Sequence, residues 1–456
     1  MILVLYLFFA AYANARMIIN PSKTVRNEHS SAEMYSALTE EANFKEDGET
    51  IDEINQKRGV GEVLYQGDIV LNDEQLNEIM KSREGATRKE RQAFKDRNYP
   101  GTIWPNGAVY YSFHHSTNRK LQQLFRKGAM EWQKQTCLTF FEKRDANERI
   151  ELMANDGCWS YVGNMHKVQS LSLGRGCETI GTAAHEIGHA LGMFHTQSRH
   201  DRDRYIRIDM QNIRPSFLGQ FQKETESTND NYGLPYDYGS LMHYGARSFS
   251  SNGGITMMPY NENYIYTMGS PFLSFYDLLM MNKHYNCFGK CQGKSFAARC
   301  AMGGFPNPRD CSKCVCPGGY GGKLCIERPA GCGRILKATT SFRPFADIVG
   351  DRSVTYTNQR DDFLICNYWI KVPAGKRIEI RFVNITNGVA KNGCYWAGVE
   401  LKVQKDQRLT GYRFCSSAST KKIFRSERNI VPIVTYSRIW PVKTTLQYRM
   451  SSLNII

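Results

Sequence analysis

At 456 residues the chain is longer than one hydrophobic core ordinarily organises, which calls for more than one domain. A composition of 41% hydrophobic and 23% charged residues excludes a disordered or fibrous chain. The formal net charge of +15 comes with 14 cysteines, an even number that suits seven disulfides in an oxidising compartment and argues against a cytosolic enzyme.

The N-terminal apolar run, Ile2–Ala11, is shorter than the ~18–20 residues that span a bilayer, and Ala13-Asn14-Ala15 follows as a small-x-small cleavage signal. Residues 1–15 are therefore read as a secretory signal peptide, and the protein as secreted and extracellular with no membrane span. Residues 16–91 lack cysteine and hold 11 Lys/Arg against 16 Asp/Glu, leaving 48 of the 59 basic and 28 of the 44 acidic side chains to 92–456. An acidic leader on a basic body fits a propeptide. The Arg88-x-x-Arg91 spacing suits an activating convertase of trypsin-like or furin-like specificity, cutting after Arg91 to leave Gln92 as the new N-terminus. The basic body favours polyanionic partners such as matrix or acidic glycans; secretion and the lack of a zinc-finger or RNA-binding motif argue against nucleic acid.

Ala108–Phe113 reads as a strand, and Arg119–Gln135 as an amphipathic helix with Leu121, Leu124, Phe125, Ala129 and Trp132 at helical spacing. Leu138–Phe141, Arg149–Met153 and Ser170–Leu173 read as further strands. This mixed order predicts an α+β domain over residues 92–287. Cys291, Cys300, Cys311, Cys314, Cys316 and Cys325 then crowd a glycine-rich segment, 288–326, too small to bury a useful core and so stapled by disulfides. From Cys332 the β-prone runs Leu364–Ile370, Arg377–Val383 and Val399–Val403 alternate polar with apolar, predicting a β-sandwich over 332–450.

The chemistry is concentrated in His185-Glu186-Ile-Gly-His189-Ala-Leu-Gly192-Met-Phe-His195. On a helix, His185 and His189 face one point, with Glu186 beside them in angle. Continued as helix, the chain would carry His195 about 9 Å further along the axis. Zinc–nitrogen bonds are only about 2.0–2.1 Å, so the three rings converge only if the chain turns sharply, and Gly192 is the residue able to turn it. Three neutral imidazoles leave a position for water, whose pKa zinc lowers, while Glu186 is placed to take its proton and pass it to the leaving amine. The expected activity is hydrolysis of peptide bonds with one Zn2+ per chain.

H-E-x-x-H-x-x-G-x-x-H is the metzincin signature, and its continuation through Arg199, Asp201, Arg202 and Asp203 resembles the astacin zinc endopeptidases, particularly the nematode type. The resemblance implies a two-lobed metzincin-type catalytic domain followed by an EGF-like module and a CUB domain. Ser240-Leu241-Met242-His243-Tyr244 is similar to the astacin Met-turn, which implies Met242 beneath the histidines and Tyr244 as a further zinc ligand able to swing to the oxyanion. Tyr65-Gln66-Gly67-Asp68-Ile69 is similar to the propeptide motif whose aspartate, here Asp68, binds the zinc in the zymogen. Crustacean astacins carry glutamate after the third histidine to receive the mature N-terminus; here Thr196 stands there, so no direct N-terminal salt bridge is expected. The resemblance also implies the pairs Cys137–Cys287 and Cys158–Cys177, then Cys291–Cys311, Cys300–Cys314 and Cys316–Cys325, then Cys332–Cys366 and Cys394–Cys415. The segment bracketed by Cys158 and Cys177 is expected to hold the substrate-binding edge strand, near Ser170–Leu173.

Asn384-Ile-Thr386 is the one N-x-[S/T] site without proline and predicts a glycan. The segment from Gly333 holds 21 basic against 8 acidic residues, which suits anchoring to matrix or acidic glycan. A catalytically silent adhesion protein is the competing class. The presence of the general base and of every zinc ligand argues against it. Cuticle, eggshell or matrix proteins are the substrates suggested by the nematode resemblance.

Overall fold

Asn118 starts the first long helix of the body: its side chain accepts from the Leu121 amide, and Leu121, Leu124, Phe125, Ala129 and Trp132 fall on one buried face of Arg119–Gln133. That face meets the helix Ile180–Ala190, where Trp132 Nε1 donates to the Ala184 carbonyl at 2.8 Å. The computed structural model describes residues 50–84, 93–94, 99–354, 359–417 and 422–454; residues 1–15, Arg91 and Gln92 lie outside the described residues.

The two helices pack with a six-stranded sheet ordered Ile69–Val70, Cys158–Tyr161, Val168–Leu173, Arg149–Met153, Ala108–Phe113, Thr139–Glu142. Cys158–Tyr161 runs antiparallel to Val168–Leu173, and the other neighbours pair in parallel. This order corrects the expected position of the edge strand. Ser170–Leu173 is interior, flanked by Arg149–Met153 and by Cys158–Tyr161. Gln169 and Ser172 are buried in it along with Leu171 and Leu173, so both of its faces are covered, as in an interior strand. The edge of the body's sheet belongs to Cys158–Tyr161, and residues of the segment expected to be a propeptide pair along it, Ile69 opposite Ser160 and Val70 opposite Tyr161.

Past the helix Ile180–Ala190 the chain builds a second lobe from short turns and a small antiparallel pair, Ile206–Ile208 with Met257–Pro259. Its core gathers Phe217, Phe221, Tyr236, Tyr238, Phe249 and Tyr264. The helix Phe275–His284 returns to the first core. Mixed helix and sheet in two lobes is the architecture expected for 92–287.

Seven disulfides join Cys137–Cys287, Cys158–Cys177, Cys291–Cys311, Cys300–Cys314, Cys316–Cys325, Cys332–Cys366 and Cys394–Cys415, the pairs that the resemblance implies. Three of them staple a small segment around the hairpin Phe305–Asn307 and Asp310–Val315. A two-sheet sandwich follows. One sheet is ordered Ile335–Lys337, Leu364–Lys371, Ile430–Ser437, Ala397–Leu401, Tyr412–Phe414, and the other Arg343–Val349, Val442–Asn454, Lys376–Ile385, Ile423–Arg425. Ile378, Ile380, Phe382, Val399 and Leu446 fill the space between them. Asn384 is exposed on the strand Lys376–Ile385. Among the described residues, no helix is long and apolar enough to cross a membrane.

The sandwich does not hang free. Asp237 of the second lobe accepts from both the backbone amide and the hydroxyl of Thr410 at 3.1 Å. Arg413 Nη1 donates to Ser270 at 2.7 Å while its Nε binds Glu400 at 3.0 Å. A Cβ added at Gly239 or Gly245 would lie 2.3 Å from Thr410 or 2.6 Å from Asn392, so the close fit requires glycine on the catalytic side.

Candidate metal centre

Thr179 caps the helix that carries the histidines, its hydroxyl accepting from the Thr182 amide at 3.0 Å. The helix ends because Gly192 takes a φ of 103° and closes a Schellman motif. The Gly192 amide donates to the His189 carbonyl at 2.7 Å and the Met193 amide to the Gly188 carbonyl at 3.0 Å. The chain then doubles back and delivers His195 to the other two rings.

The convergence is tight. His185 Nε2 lies 3.1 Å from His189 Nε2 and 3.2 Å from His195 Nε2. Asp68 Oδ2 is 3.1 Å from His185 and from His195, and its Oδ1 is 3.3 Å from His189. All four residues are buried, with their ligand atoms within 4.8 Å of one another. The outer nitrogens are each engaged: Nδ1 of His185 donates to the Leu241 carbonyl at 2.8 Å, that of His189 to the Met193 carbonyl at 2.7 Å, and that of His195 to Gln66 Oε1 at 3.0 Å. These acceptors fix the tautomer, so every Nε2 turns a lone pair inward. Burial outweighs the pull of Asp68 and depresses His189, and takes His195 down to about 3, which keeps both rings neutral. Three inward lone pairs and a carboxylate would repel one another unless a cation stood among them. Nitrogen and oxygen donors in this number are what zinc takes in tetrahedral sites. The residues fit one zinc ion.

Glu186 is fully buried, and among the described residues neither of its carboxylate oxygens has a hydrogen-bond partner. Burial, and then the nearby Asp68, push its carboxyl well above the ordinary range. Tyr244 donates to Asp68 Oδ2 at 2.6 Å, its ring centroid 4.4 Å from that of His195. Met242 is buried with its sulfur against Gly188 of the zinc helix, and its carbonyl accepts from the Thr196 amide at 2.8 Å. Thr196 itself donates to Ser240 Oγ at 2.9 Å, while the Phe94 amide, just past the expected cut, donates to the Gly192 carbonyl at 2.9 Å.

Several supporting residues escape sequence reasoning. Asp277 accepts from Ser240 Oγ at 2.5 Å and from the Leu241 amide at 2.8 Å, fixing the turn whose Leu241 carbonyl orients His185. Its signal was present in Ser274-x-x-Asp277, a capping-box spacing that the structure closes from both sides. Gln66 has no such signal: it orients His195 while its amide nitrogen donates to Glu224 at 2.6 Å, a contact spanning 158 residues. Asn55 likewise imitates a strand neighbour, exchanging bonds of 2.7 and 2.8 Å with the backbone of Cys158 at the sheet edge.

Residues 96–286 match the peptidase family Astacin. Zinc metalloproteinase nas-31 of Caenorhabditis elegans is 45% identical over 448 residues, which cover 96% of this chain and 72% of that protein. Zinc metalloproteinase nas-29 of the same organism is 35% identical over 467 residues, covering 96% of this chain and 85% of its own length. Among solved structures, high choriolytic enzyme 1, a hatching enzyme zinc-protease from the medaka fish Oryzias latipes, is 31% identical over 42% of this chain and 98% of that one, with a TM-score of 0.40. Likeness to nas-31 over nearly the whole chain, joined to a buried donor set that fits one zinc, establishes that the chain belongs to the astacin family and is a zinc metalloendopeptidase.

Proposed function

We propose that the chain is made as a secreted zymogen whose mature form cuts extracellular proteins, with His185, His189 and His195 holding zinc, Glu186 as general base and acid, and Asp68 as the blocker of the latent state. The observation that carries this reading is the Asp68 carboxylate, a leader group standing 3.1–3.3 Å from all three imidazole nitrogens.

Zinc, when bound, supplies Lewis acidity that brings the pKa of a water near neutrality and polarises a carbonyl. Glu186, adjacent in sequence to His185 and with both oxygens unengaged, accepts the proton of the attacking water and returns it to the leaving amine. A carboxyl pushed upward by burial suits both halves of that transfer. Tyr244 spends its hydroxyl on Asp68 in the full chain; departure of the leader would free that hydroxyl, which would be a further ligand for zinc and a donor to the developing oxyanion. Departure also vacates the edge Cys158–Tyr161, where an extended substrate adds as a strand.

The proposed organisation is a signal peptide over 1–15, a propeptide over 16–91 removed after Arg91, the catalytic domain over 92–287, an EGF-like module over 288–326 and a CUB domain over 332–450. Three disulfides in the short module, two sheets in the last and the seven disulfides of the whole support it, as does the exposure of Asn384 for a glycan. Cuticle, eggshell or matrix proteins are the proposed substrates, by family likeness. Turnover of gelatin by the mature chain tests the proteolytic reading. Hydrolysis that a zinc chelator abolishes and added zinc restores is expected; hydrolysis indifferent to the chelator would overturn it.

The proposed anchoring to acidic glycan has a physical basis in the four-stranded sheet. Arg425 and Arg449 flank Glu379 across neighbouring strands, and Arg381 and Arg449 both stack on Phe342 at 4.5 and 4.3 Å. Mature protein carrying Arg381→Glu and Arg425→Glu is expected to leave a heparin column at lower salt than wild type. Unchanged elution would show that this face is not the anchor.

A further inference from the structure

We propose that Phe94, Val162 and Phe194 form an apolar specificity pocket beside the sheet edge, filled by the leader in the full chain and open to a large apolar substrate side chain in the mature enzyme. The inference rests on the reading of the leader as the occupant of the substrate cleft. Phe194 immediately precedes His195, Val162 follows the edge strand Cys158–Tyr161, and Phe94 lies two residues past the expected new N-terminus, Gln92. All three side chains are fully buried and share one small cluster. Among the described residues, every other apolar member of that cluster belongs to the leader: Ile69 and Ile79 inside it, with Tyr65 and Leu71 packed against it. Phe94 and Phe194 meet edge to face with ring centroids 5.6 Å apart, and Tyr65 approaches Phe194 in the same way at 6.2 Å.

The walls are fixed by contacts that do not involve the leader. The Phe94 amide donates to the Gly192 carbonyl at 2.9 Å, and Phe94 pairs with Asn229 in a short antiparallel ladder. Beside Val162, the Gly163 amide donates to the His189 carbonyl at 2.9 Å, which ties that wall to the zinc helix. The filling is removable. Ile69 follows Asp68 on the strand paired with the edge, and Ile79 comes from the leader helix Asp73–Glu84; both precede the expected cut. Gln75 Nε2, which donates to the Val162 carbonyl at 2.9 Å, would leave with them and free that acceptor at the rim for a substrate amide. Loss of the leader therefore turns three buried apolar side chains toward water in preset positions. A substrate side chain that covers them again gains the burial with little reorganisation, whereas a polar one of the same size loses its hydration without finding a partner. The space once held two isoleucine side chains, which suits leucine or phenylalanine better than alanine.

The test uses paired peptides with Leu or Asn, side chains of nearly equal size, at each position on either side of the scissile bond, cleaved by mature wild type, Val162→Thr and Phe94→Ala. Wild type is expected to favour Leu over Asn by at least about tenfold in kcat/KM at one position, and each variant to cut that ratio at least about threefold. Equal cleavage of Leu and Asn peptides at every position, or a preference that both variants leave unchanged, would overturn the proposal. Binding of the same peptides to zinc-loaded Glu186→Gln enzyme, read by fluorescence anisotropy, separates the pocket from the proteolytic reading. Tighter binding of Leu peptides without turnover by wild type would defeat the proteolytic reading alone and uphold the pocket, whereas equal binding of Leu and Asn peptides would defeat the pocket.

Discussion

Mature enzyme carrying Glu186→Ala is expected to keep one zinc per chain and to lose at least about 10³-fold in kcat/KM on gelatin-derived peptides. Glu186 stands outside the cluster of ligand atoms formed by His185, His189, His195 and Asp68, so its removal leaves the metal donors and the carbonyls that orient them untouched. What disappears is a buried carboxylate with both oxygens unengaged, a costly arrangement for a group with only a structural role. Elemental analysis and steady-state kinetics on the same sample check both halves of the expectation. Activity within tenfold of wild type at full zinc content would remove Glu186 from the chemistry.

The second large effect is expected from Asp68→Ala in the uncut precursor. Asp68 brings a carboxylate to the three imidazoles and also accepts the Tyr244 hydroxyl, so its loss opens the zinc position and releases the tyrosine together. Removing one partner from a buried charged cluster costs about 3–5 kcal/mol, which corresponds to a drop of at least about 100-fold in the hold of the leader on the site. The precursor is expected to hydrolyse gelatin without being cut, though more slowly than mature enzyme, because Asn55 and Gln75 still bind the sheet edge and the Val162 carbonyl. A peptide spanning residues 50–84 is expected to inhibit mature enzyme, and its Asp68→Ala form to do so at least about 100-fold less well. A silent precursor and undiminished inhibition would place the block elsewhere in the leader.

The zinc site was legible because its geometry is local. Eleven residues carry all three imidazoles, and the need for them to meet forces the turn that Gly192 makes. The long helix was equally legible, since Leu121, Leu124, Phe125, Ala129 and Trp132 bury along one stripe. The edge strand was misplaced for a physical reason. Ser170–Leu173 alternates Ser with Leu, the pattern of a strand with one covered face, whereas the place of Cys158–Tyr161 at the edge follows from an antiparallel return that nothing in its own sequence announces. Gln66, Glu224 and Asp277 were out of reach as a group because each matters through a partner distant in the chain; only Asp277 carries a local capping pattern. The seam between catalytic lobe and sandwich, and with it the Asp237–Thr410 contact, depends on how two separately legible folds are set against each other.

That seam governs where the polypeptide can be divided. Cutting the gene after Cys287 would strip Thr410 from Asp237 and leave Ser270 without its arginine. Gly239 and Gly245, shaped to receive a neighbour, would become an open dent in the surface beside the Met-turn. The isolated protease fragment would thus show solvent a face evolved as an interior. Expression designs that spare the sandwich should yield the better-behaved enzyme, and an affinity tag belongs after the sandwich, away from the loops that carry Thr410 and Asn392.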